Sequence, residues 1–137
     1  MTKLQRSVLV VDDEFLIVLG LCSQVEEMGL TVCGTAATAD AAVELAQRHR
    51  PAVVLMDMRL LGDKDGVDAS GAIYETVGSK VIFITGSREP STIERINSDH
   101  PFAILFKPIS DEQLIMTIEA ALDQANESIE ATELPLA

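Results

Sequence analysis

Short runs of consecutive apolar residues alternate along the chain with longer segments in which apolar residues recur every three or four positions. The continuous runs are typical of strands buried on both faces of a sheet, and the spaced segments are typical of amphipathic helices. The predicted strands are Ser7–Val11, Thr31–Ala36, Ala52–Met56, Lys80–Thr85 and Phe102–Phe106. The predicted helices are Glu14–Met28, Thr38–His49, Val67–Val77, Pro90–Ser98 and Ser110–Gln124.

Local signals support the predicted helix ends. Gly29 ends the first helix, because glycine readily adopts the left-handed conformation found just past a helix. Pro90 stands where a first helical residue tolerates proline, and Ser110 with Gln113 matches a capping box. The expected buried face of the first helix consists of Phe15, Val18, Leu19, Cys22 and Val25.

The alternation of strand and helix predicts an α/β fold in which helices cover both faces of a parallel sheet. At this size, the common solution is a flavodoxin-like doubly wound sheet of five strands in the order 2-1-3-4-5, with five helices. We expect one domain over residues 1–124 and an acidic tail over residues 125–137. Because only that tail follows, we expect a stand-alone domain.

Composition narrows the possible functions. Among 137 residues, 22 acids against 10 bases give a net charge of −12, which disfavours binding to nucleic acid and to anionic lipid. No apolar run approaches the roughly 20 residues that span a bilayer, and charged residues come too early for a secretory signal. Cys22 and Cys33 lack metal-ligand spacing, so we expect two buried thiols in a cytoplasmic protein without membrane insertion.

Polar side chains follow four of the predicted strands at the point where each strand ends. Asp12 and Asp13 follow the first strand, Asp57 the third, Thr85 closes the fourth, and Lys107 follows the fifth. Ligands of open parallel sheets bind beyond the carboxyl ends of the strands. The sequence therefore predicts one polar site at this edge of the sheet.

The chemistry of such a site follows from its groups. Crowded carboxylates repel one another unless a cation joins them, and oxygen ligands suit Mg²⁺, which also binds phosphate oxygens. Asp57 at a strand end can act as a nucleophile toward phosphorus. Lys107 and Thr85 can then neutralise and hydrogen-bond the phosphoryl oxygens, and Gly86 leaves room for the group to enter.

Each of these residues also has an ordinary structural interpretation. Asp12 or Asp13 can cap the first helix, and Asp57 can be a loop carboxylate. Thr85 can be a plain strand residue, and Lys107 can be a solvated surface charge. A helix needs one cap rather than two, and all five residues fall on the same edge, so the functional interpretation explains more of the pattern.

The ordered set of motifs resembles the receiver domain of bacterial two-component response regulators over roughly residues 6–124. The motifs are Val10-Val11-Asp12-Asp13-Glu14, Leu55-Met56-Asp57, Ile84-Thr85-Gly86 and Lys107-Pro108. The resemblance implies a module that takes a phosphoryl group from a phosphohistidine on a sensor histidine kinase or a histidine phosphotransfer protein. It also implies output through protein contact or onward transfer, and slow self-dephosphorylation in place of enzymatic turnover.

The resemblance assigns roles residue by residue. It implies that Asp57 is the phosphoacceptor and that Asp12 and Asp13 are the acidic pair, one binding Mg²⁺ directly and the other through water. It further implies that the backbone carbonyl of Arg59 is a metal ligand. A Mg²⁺-dependent phosphohydrolase is the alternative, but such enzymes need a second acid two residues after the nucleophile, where this chain has Arg59. The complete acidic set argues against a third possibility, an inert homologue.

The switch region departs from the family pattern. The resemblance makes Thr85 and Lys107 the phosphate-sensing pair and implies a cis bond between Lys107 and Pro108. However, Ile104 occupies the position where the family often has an aromatic ring, and the loop after the acceptor is longer, more charged and without the usual proline. We therefore expect the signal to pass through Gly86–His100, which we expect to be mobile without phosphate.

Overall fold

The computed structural model describes the backbone of residues 4–133 and the side chains of residues 4–125. Within that part, strands and helices alternate as β1 (Gln5–Val11), α1 (Phe15–Glu27), β2 (Thr31–Ala36), α2 (Ala39–His49), β3 (Pro51–Asp57), α3 (Gly66–Thr76), β4 (Lys80–Thr85), α4 (Pro90–Asn97), β5 (Ala103–Phe106) and α5 (Asp111–Glu133). The strands form one parallel sheet in the order β2-β1-β3-β4-β5. The predicted α/β fold and strand order are confirmed.

The central strands are apolar throughout because helices cover both faces of the sheet. Every residue of β3 is buried, including the terminal Asp57. Along β1, Val8 and Val10 pack toward the face covered by α1 and α5, whereas Leu9 and Val11 pack toward the face covered by α2, α3 and α4. This two-sided burial explains why the central strands read as continuous apolar runs rather than as alternating ones.

The expected buried face of α1 is wrong in part. Val25 is fully buried, but Phe15 is 72% exposed and Leu19 is 50% exposed. The neighbouring Leu16 is 79% exposed. Leu21, which was not expected on that face, is buried instead. The first turns of α1 are apolar all round, so helical periodicity does not select a face there, and packing against the sheet and α5 selects it.

The largest difference in element length is at α5, which runs past the predicted end at Gln124 to Glu133. No glycine or proline interrupts the sequence between residues 111 and 134, so nothing in it breaks the helix. The first part of the predicted tail is therefore helical, and residues 134–137 lie outside the described residues. At the start of α5, the Ser110 Oγ accepts the backbone N–H of Gln113 at 3.1 Å, which is one of the two bonds of the predicted capping box. Among the described helices, none has both the length and the apolar character that crossing a bilayer needs.

The segment around α4 is held mainly by contacts outside the core. All residues of α4 are described, and Ile96 alone among them is buried. Before the helix, the Arg88 guanidinium lies 4.3 Å from the centre of the Phe106 ring. After the helix, the His100 ring stacks on Tyr74 of α3, with ring centroids 4.2 Å apart. The mobility expected for this segment stays a prediction.

Candidate functional site

Three carboxylates meet where β1 and β3 end. The two strands pair in parallel with Val11 beside Met56, so the residues that follow, Asp12 and Asp57, are neighbours. With Asp13, they each place one carboxylate oxygen so that all three oxygens lie within 4.8 Å of one another. Asp12 and Asp57 are buried and Asp13 is exposed, so the group opens to solvent on one side.

Lys107 follows β5 and reaches this acidic group. Its Nζ lies 3.4 Å from Oδ1 of Asp57 and 3.5 Å from Oδ2 of Asp12. Its backbone N–H donates to the carbonyl of Thr85 at 2.8 Å, which joins the end of β5 to the end of β4. The structure therefore brings together the acids and the lysine that the sequence predicted at one edge.

Thr85 is buried at the end of β4, and its hydroxyl takes part in a local turn. The Thr85 Oγ1 accepts the backbone N–H of Ser87 at 3.1 Å. A Cβ added at the intervening Gly86 would meet no atom within 4 Å, so the surface beside Thr85 is open. The role of Gly86 in leaving room for a phosphoryl group stays a prediction.

The charges of the site act strongly on one another. The pKa of Asp57 is raised from 3.8 to about 6, first because burial penalises its charged form and second because Asp12 repels it, while Lys107 acts in the opposite direction. Burial acts to lower the pKa of Lys107, but attraction by Asp57 and Asp12 outweighs burial, so that pKa is raised. A divalent cation among the three carboxylates would relieve their repulsion, and their oxygens are the ligands that Mg²⁺ prefers.

Asp12 has a structural role as well as a place in the site. Its Oδ1 accepts the backbone N–H of Glu14 at 2.9 Å and so fixes the turn that leads into α1. Its Oδ2 faces Lys107. Glu14 is itself the N-cap residue of α1, and its side chain makes no capping hydrogen bond. The predicted capping of α1 by Asp12 is therefore wrong: one oxygen of Asp12 holds the turn before the helix, and the other stays available to the site.

Arg59 lies two residues past Asp57, in the loop between β3 and α3. Its side chain is exposed. The loop closes where the N–H of Gly66 donates to the carbonyl of Met58 at 2.9 Å. Metal binding by the Arg59 carbonyl stays a prediction.

Gly66 is the residue of this site that sequence reasoning missed. A Cβ at Gly66 would collide with the backbone oxygen of Asp57 and would lie 3.1 Å from Cγ of Met56. Only glycine therefore lets the start of α3 pack directly on the backbone of Asp57. The available signal was the Asp65-Gly66 pair, in which Asp65 caps α3 and forms a capping box with Asp68.

Two further predictions concern the Lys107–Pro108 bond and the two cysteines. The Lys107–Pro108 peptide bond is cis, as the family resemblance implied. Cys22 and Cys33 are free thiols that are partly rather than fully buried, so the expected burial is correct only in part. Burial raises the pKa of both thiols.

Comparison with known families identifies one match across most of the chain. A family described as "Response regulator receiver domain" matches residues 8–119. That range contains all of the sheet except the first three residues of β1, and it contains every residue of the candidate site.

Known relatives agree with this match. The chain is 34% identical to the transcriptional regulatory protein PdtaR of Mycobacterium tuberculosis over 89% of its own length and 59% of that protein. It is also 34% identical to the phyllosphere-induced regulator PhyR of Methylorubrum extorquens, over 84% of this chain and 43% of that protein. The chain thus spans about half the length of these relatives.

A solved structure gives the same result in three dimensions. The signal receiver domain of a modulated diguanylate cyclase from Desulfovibrio desulfuricans superposes with a TM-score of 0.82 at 32% identity, covering 88% of this chain and 95% of that one. The sequence motifs, the fold, the acidic site and these matches agree, and the chain belongs to the response regulator receiver domain family.

Proposed function

We propose that this chain is a phosphoacceptor of a two-component or phosphorelay system. In this proposal, Asp57 takes a phosphoryl group from a phosphohistidine on a sensor histidine kinase or a histidine phosphotransfer protein. Membership of the receiver family supports this class of function. The observation that carries the assignment to Asp57 is the approach of Lys107 to within 3.4 Å of its carboxylate, beside Asp12 and Asp13.

The reaction requires a carboxylate oxygen that can reach the phosphorus of the donor. An oxygen of Asp57 attacks the phosphorus, a P–O bond forms as the P–N bond breaks, and the electron pair leaves with the imidazole nitrogen. Lys107 offsets the charge of the transferred group. The Thr85 oxygen already accepts the N–H of Ser87, so its own hydrogen is available to a phosphoryl oxygen.

Asp12, Asp13 and Asp57 would hold Mg²⁺, together with the backbone carbonyl of Arg59. When bound, the cation neutralises charge on the phosphoryl oxygens. Water later attacks the phosphorus, breaks the P–O bond to Asp57 and restores the carboxylate. We propose that this loss is slow, because position 59 carries Arg59, which cannot act as a general base toward the attacking water.

Exposed apolar side chains beside the site support a protein partner as donor. Phe15, Leu16 and Leu19 lie on the first turns of α1, which begins directly after the acidic pair, and each is at least half exposed. We define these three residues as the α1 patch. A donor that brings its histidine to Asp57 would cover the α1 patch and so remove apolar surface from water.

Labelling with phosphoramidate, a small donor with a P–N bond, tests the acceptor directly. We expect the parent chain to gain one phosphoryl group by intact-mass spectrometry in Mg²⁺, and Asp57→Asn to gain none, because the amide is not a nucleophile. Asp63→Asn, on the exposed part of the same loop, is the matched control and should label like the parent.

Two results would contradict the proposal. Asp57→Asn protein that labels at the parent rate would place the acceptor elsewhere. Parent protein that hydrolyses a generic phosphate ester many times per chain would be a phosphohydrolase rather than a phosphoacceptor.

A further inference from the structure

The loop after Asp57 is fixed on one side by α2. The N–H of Leu61 donates to the carbonyl of Ala37 at 2.9 Å, just before α2 begins. The Nζ of Lys64 lies 3.0 Å from Oδ1 of Asp40 in the first turn of α2. Lys64, one of the charged residues of this loop, thus has a contact in the fold. We call residues 58–65 the acceptor loop.

The other side of the acceptor loop is fixed by α4. The Nη2 of Arg95 lies 3.0 Å from Oδ1 of Asp65 and 3.4 Å from Oδ1 of Asp68. The same Oδ1 of Asp65 accepts the backbone N–H groups of Val67 and Asp68, at 3.0 and 3.1 Å. The helix cap therefore holds in place the oxygen that Arg95 binds, so this pair has less freedom than two flexible side chains would have.

The end of the acceptor loop also touches the acceptor itself. Gly66 follows Asp65 directly, and its Cα packs so closely on the backbone oxygen of Asp57 that a Cβ would collide with it. The N–H of Gly66 donates to the carbonyl of Met58, which adjoins Asp57. A continuous series of contacts therefore runs from the backbone of Asp57 through Gly66 and Asp65 to Arg95 on α4.

We propose that Arg95 is a positioning residue of the acceptor site, holding α4 against the end of the acceptor loop so that the metal-binding geometry and the position of α4 depend on each other. This inference rests on the proposed phosphoacceptor function. The contact is separate from the one that Thr85 and Lys107 would make with the phosphoryl group. It leaves α4 connected to the site although Ile104 stands where the family often has an aromatic ring.

The exposure of Arg95 and its two acidic partners determines how large an effect the loss of their contact should have. Arg95 and Asp68 are each 45% exposed and Asp65 is 32% exposed, and ion pairs of this kind are weak. Loss of the contact should therefore raise the dissociation constant for Mg²⁺ by about two- to fivefold rather than by orders of magnitude. An effect of that size matters for α4, because α4 has a single fully buried side chain to hold it.

The test compares Arg95→Ala and Arg95→Lys with the parent chain. Calorimetric titration with Mg²⁺ should give a dissociation constant about two- to fivefold higher for Arg95→Ala, with partial recovery in Arg95→Lys. By reciprocity of coupling, Mg²⁺ should slow amide exchange in α4 of the parent but not of Arg95→Ala. Arg48→Ala removes another exposed ion pair, which lies within α2 at 2.7 Å, and should behave like the parent.

Each outcome decides a different point. Arg95→Ala that binds Mg²⁺ as tightly as the parent overturns the inference and leaves the proposed function intact. Equal weakening in Arg48→Ala also overturns it, because the effect would then be general to surface charge. Parent protein that binds no Mg²⁺ overturns the metal site of the proposed function itself. In about 1 M salt, where such pairs are screened, parent and Arg95→Ala should converge.

Discussion

Asp57 carries its charge in a buried position beside Asp12, and the free energy of unfolding depends on pH as a result. Its pKa in the folded chain, about 6, lies above the ordinary value of 3.8. The folded chain therefore binds the proton more tightly than the unfolded chain does. The contribution of Asp57 to the free energy of unfolding therefore falls as pH rises from 3.8 to about 6, and above that window the ionised Asp57 destabilises the fold.

Replacing Asp57 by Asn should relieve this destabilisation. In metal-free buffer at pH 7, we expect Asp57→Asn to raise the free energy of unfolding by roughly 1–3 kcal/mol, a gain that disappears as the pH falls toward about 4. Urea unfolding at several pH values measures it. A variant less stable than the parent at pH 7 would mean that attraction by Lys107 outweighs burial and the repulsion by Asp12.

Gly66 allows a second prediction at a single residue. Gly66→Ala should lower the free energy of unfolding by about 1–3 kcal/mol, because its Cβ collides with the Asp57 backbone. It should also slow phosphoramidate labelling by moving the acceptor. Gly20→Ala, in the middle of α1 with open space around the added Cβ, is the control and should instead stabilise by about 0.5–1 kcal/mol. Equal effects of the two changes would contradict the proposed close packing.

The sequence predicted the polar residues of the site better than it predicted Gly66. Asp57 and Lys107 interrupt apolar runs, and the topology brings strand ends together, so their proximity follows from the fold class. Gly66 depends on the path of the loop in three dimensions, which no apolar period encodes. A glycine that fits against a particular carbonyl looks in sequence like any other turn glycine.

Among the helices, the α1 patch offers the clearest experiment. Leu16 is 79% exposed, so Leu16→Ser should leave the free energy of unfolding almost unchanged. Transfer from a purified, phosphorylated histidine phosphotransfer domain that labels the parent should become slower by about ten- to a hundredfold, since one buried leucine is worth about 1.5–3 kcal/mol. Labelling by phosphoramidate is the control and should not change. Slower labelling by both donors would point to a damaged site rather than to lost docking.

The same helix shows where sequence prediction fails for an element. Periodicity identifies a helix, but in α1 too many positions are apolar for periodicity to select the buried face. The helix must present an apolar stripe to the sheet and α5, and the remaining apolar side chains face outward. The length of α5 was also underestimated, because an acidic segment without breakers is compatible with both a tail and a helix.

For the whole molecule, the proposed metal site links ligand binding to stability. Mg²⁺ that binds only the folded chain should raise the free energy of unfolding by about 1.4 kcal/mol for each tenfold excess over its dissociation constant. Thermal melts followed by circular dichroism should show an increase in Tm for the parent and a smaller one for Asp13→Ala. Asp63→Ala should respond like the parent. Equal responses in Asp13→Ala and the parent would place the cation elsewhere.

The stacking of Tyr74 of α3 on His100, which follows α4, affects the fluorescence of the chain. The chain has one tyrosine and no tryptophan, so Tyr74 is its single strong emitter. The Tyr74 ring lies 4.2 Å from His100, with the two planes only 4° apart. Emission from a tyrosine depends on the groups that touch its ring, and a displacement of His100 would remove that contact. The ultraviolet fluorescence of the unlabelled chain therefore reports, from one known place, whether Gly86–His100 moves when Asp57 is phosphorylated.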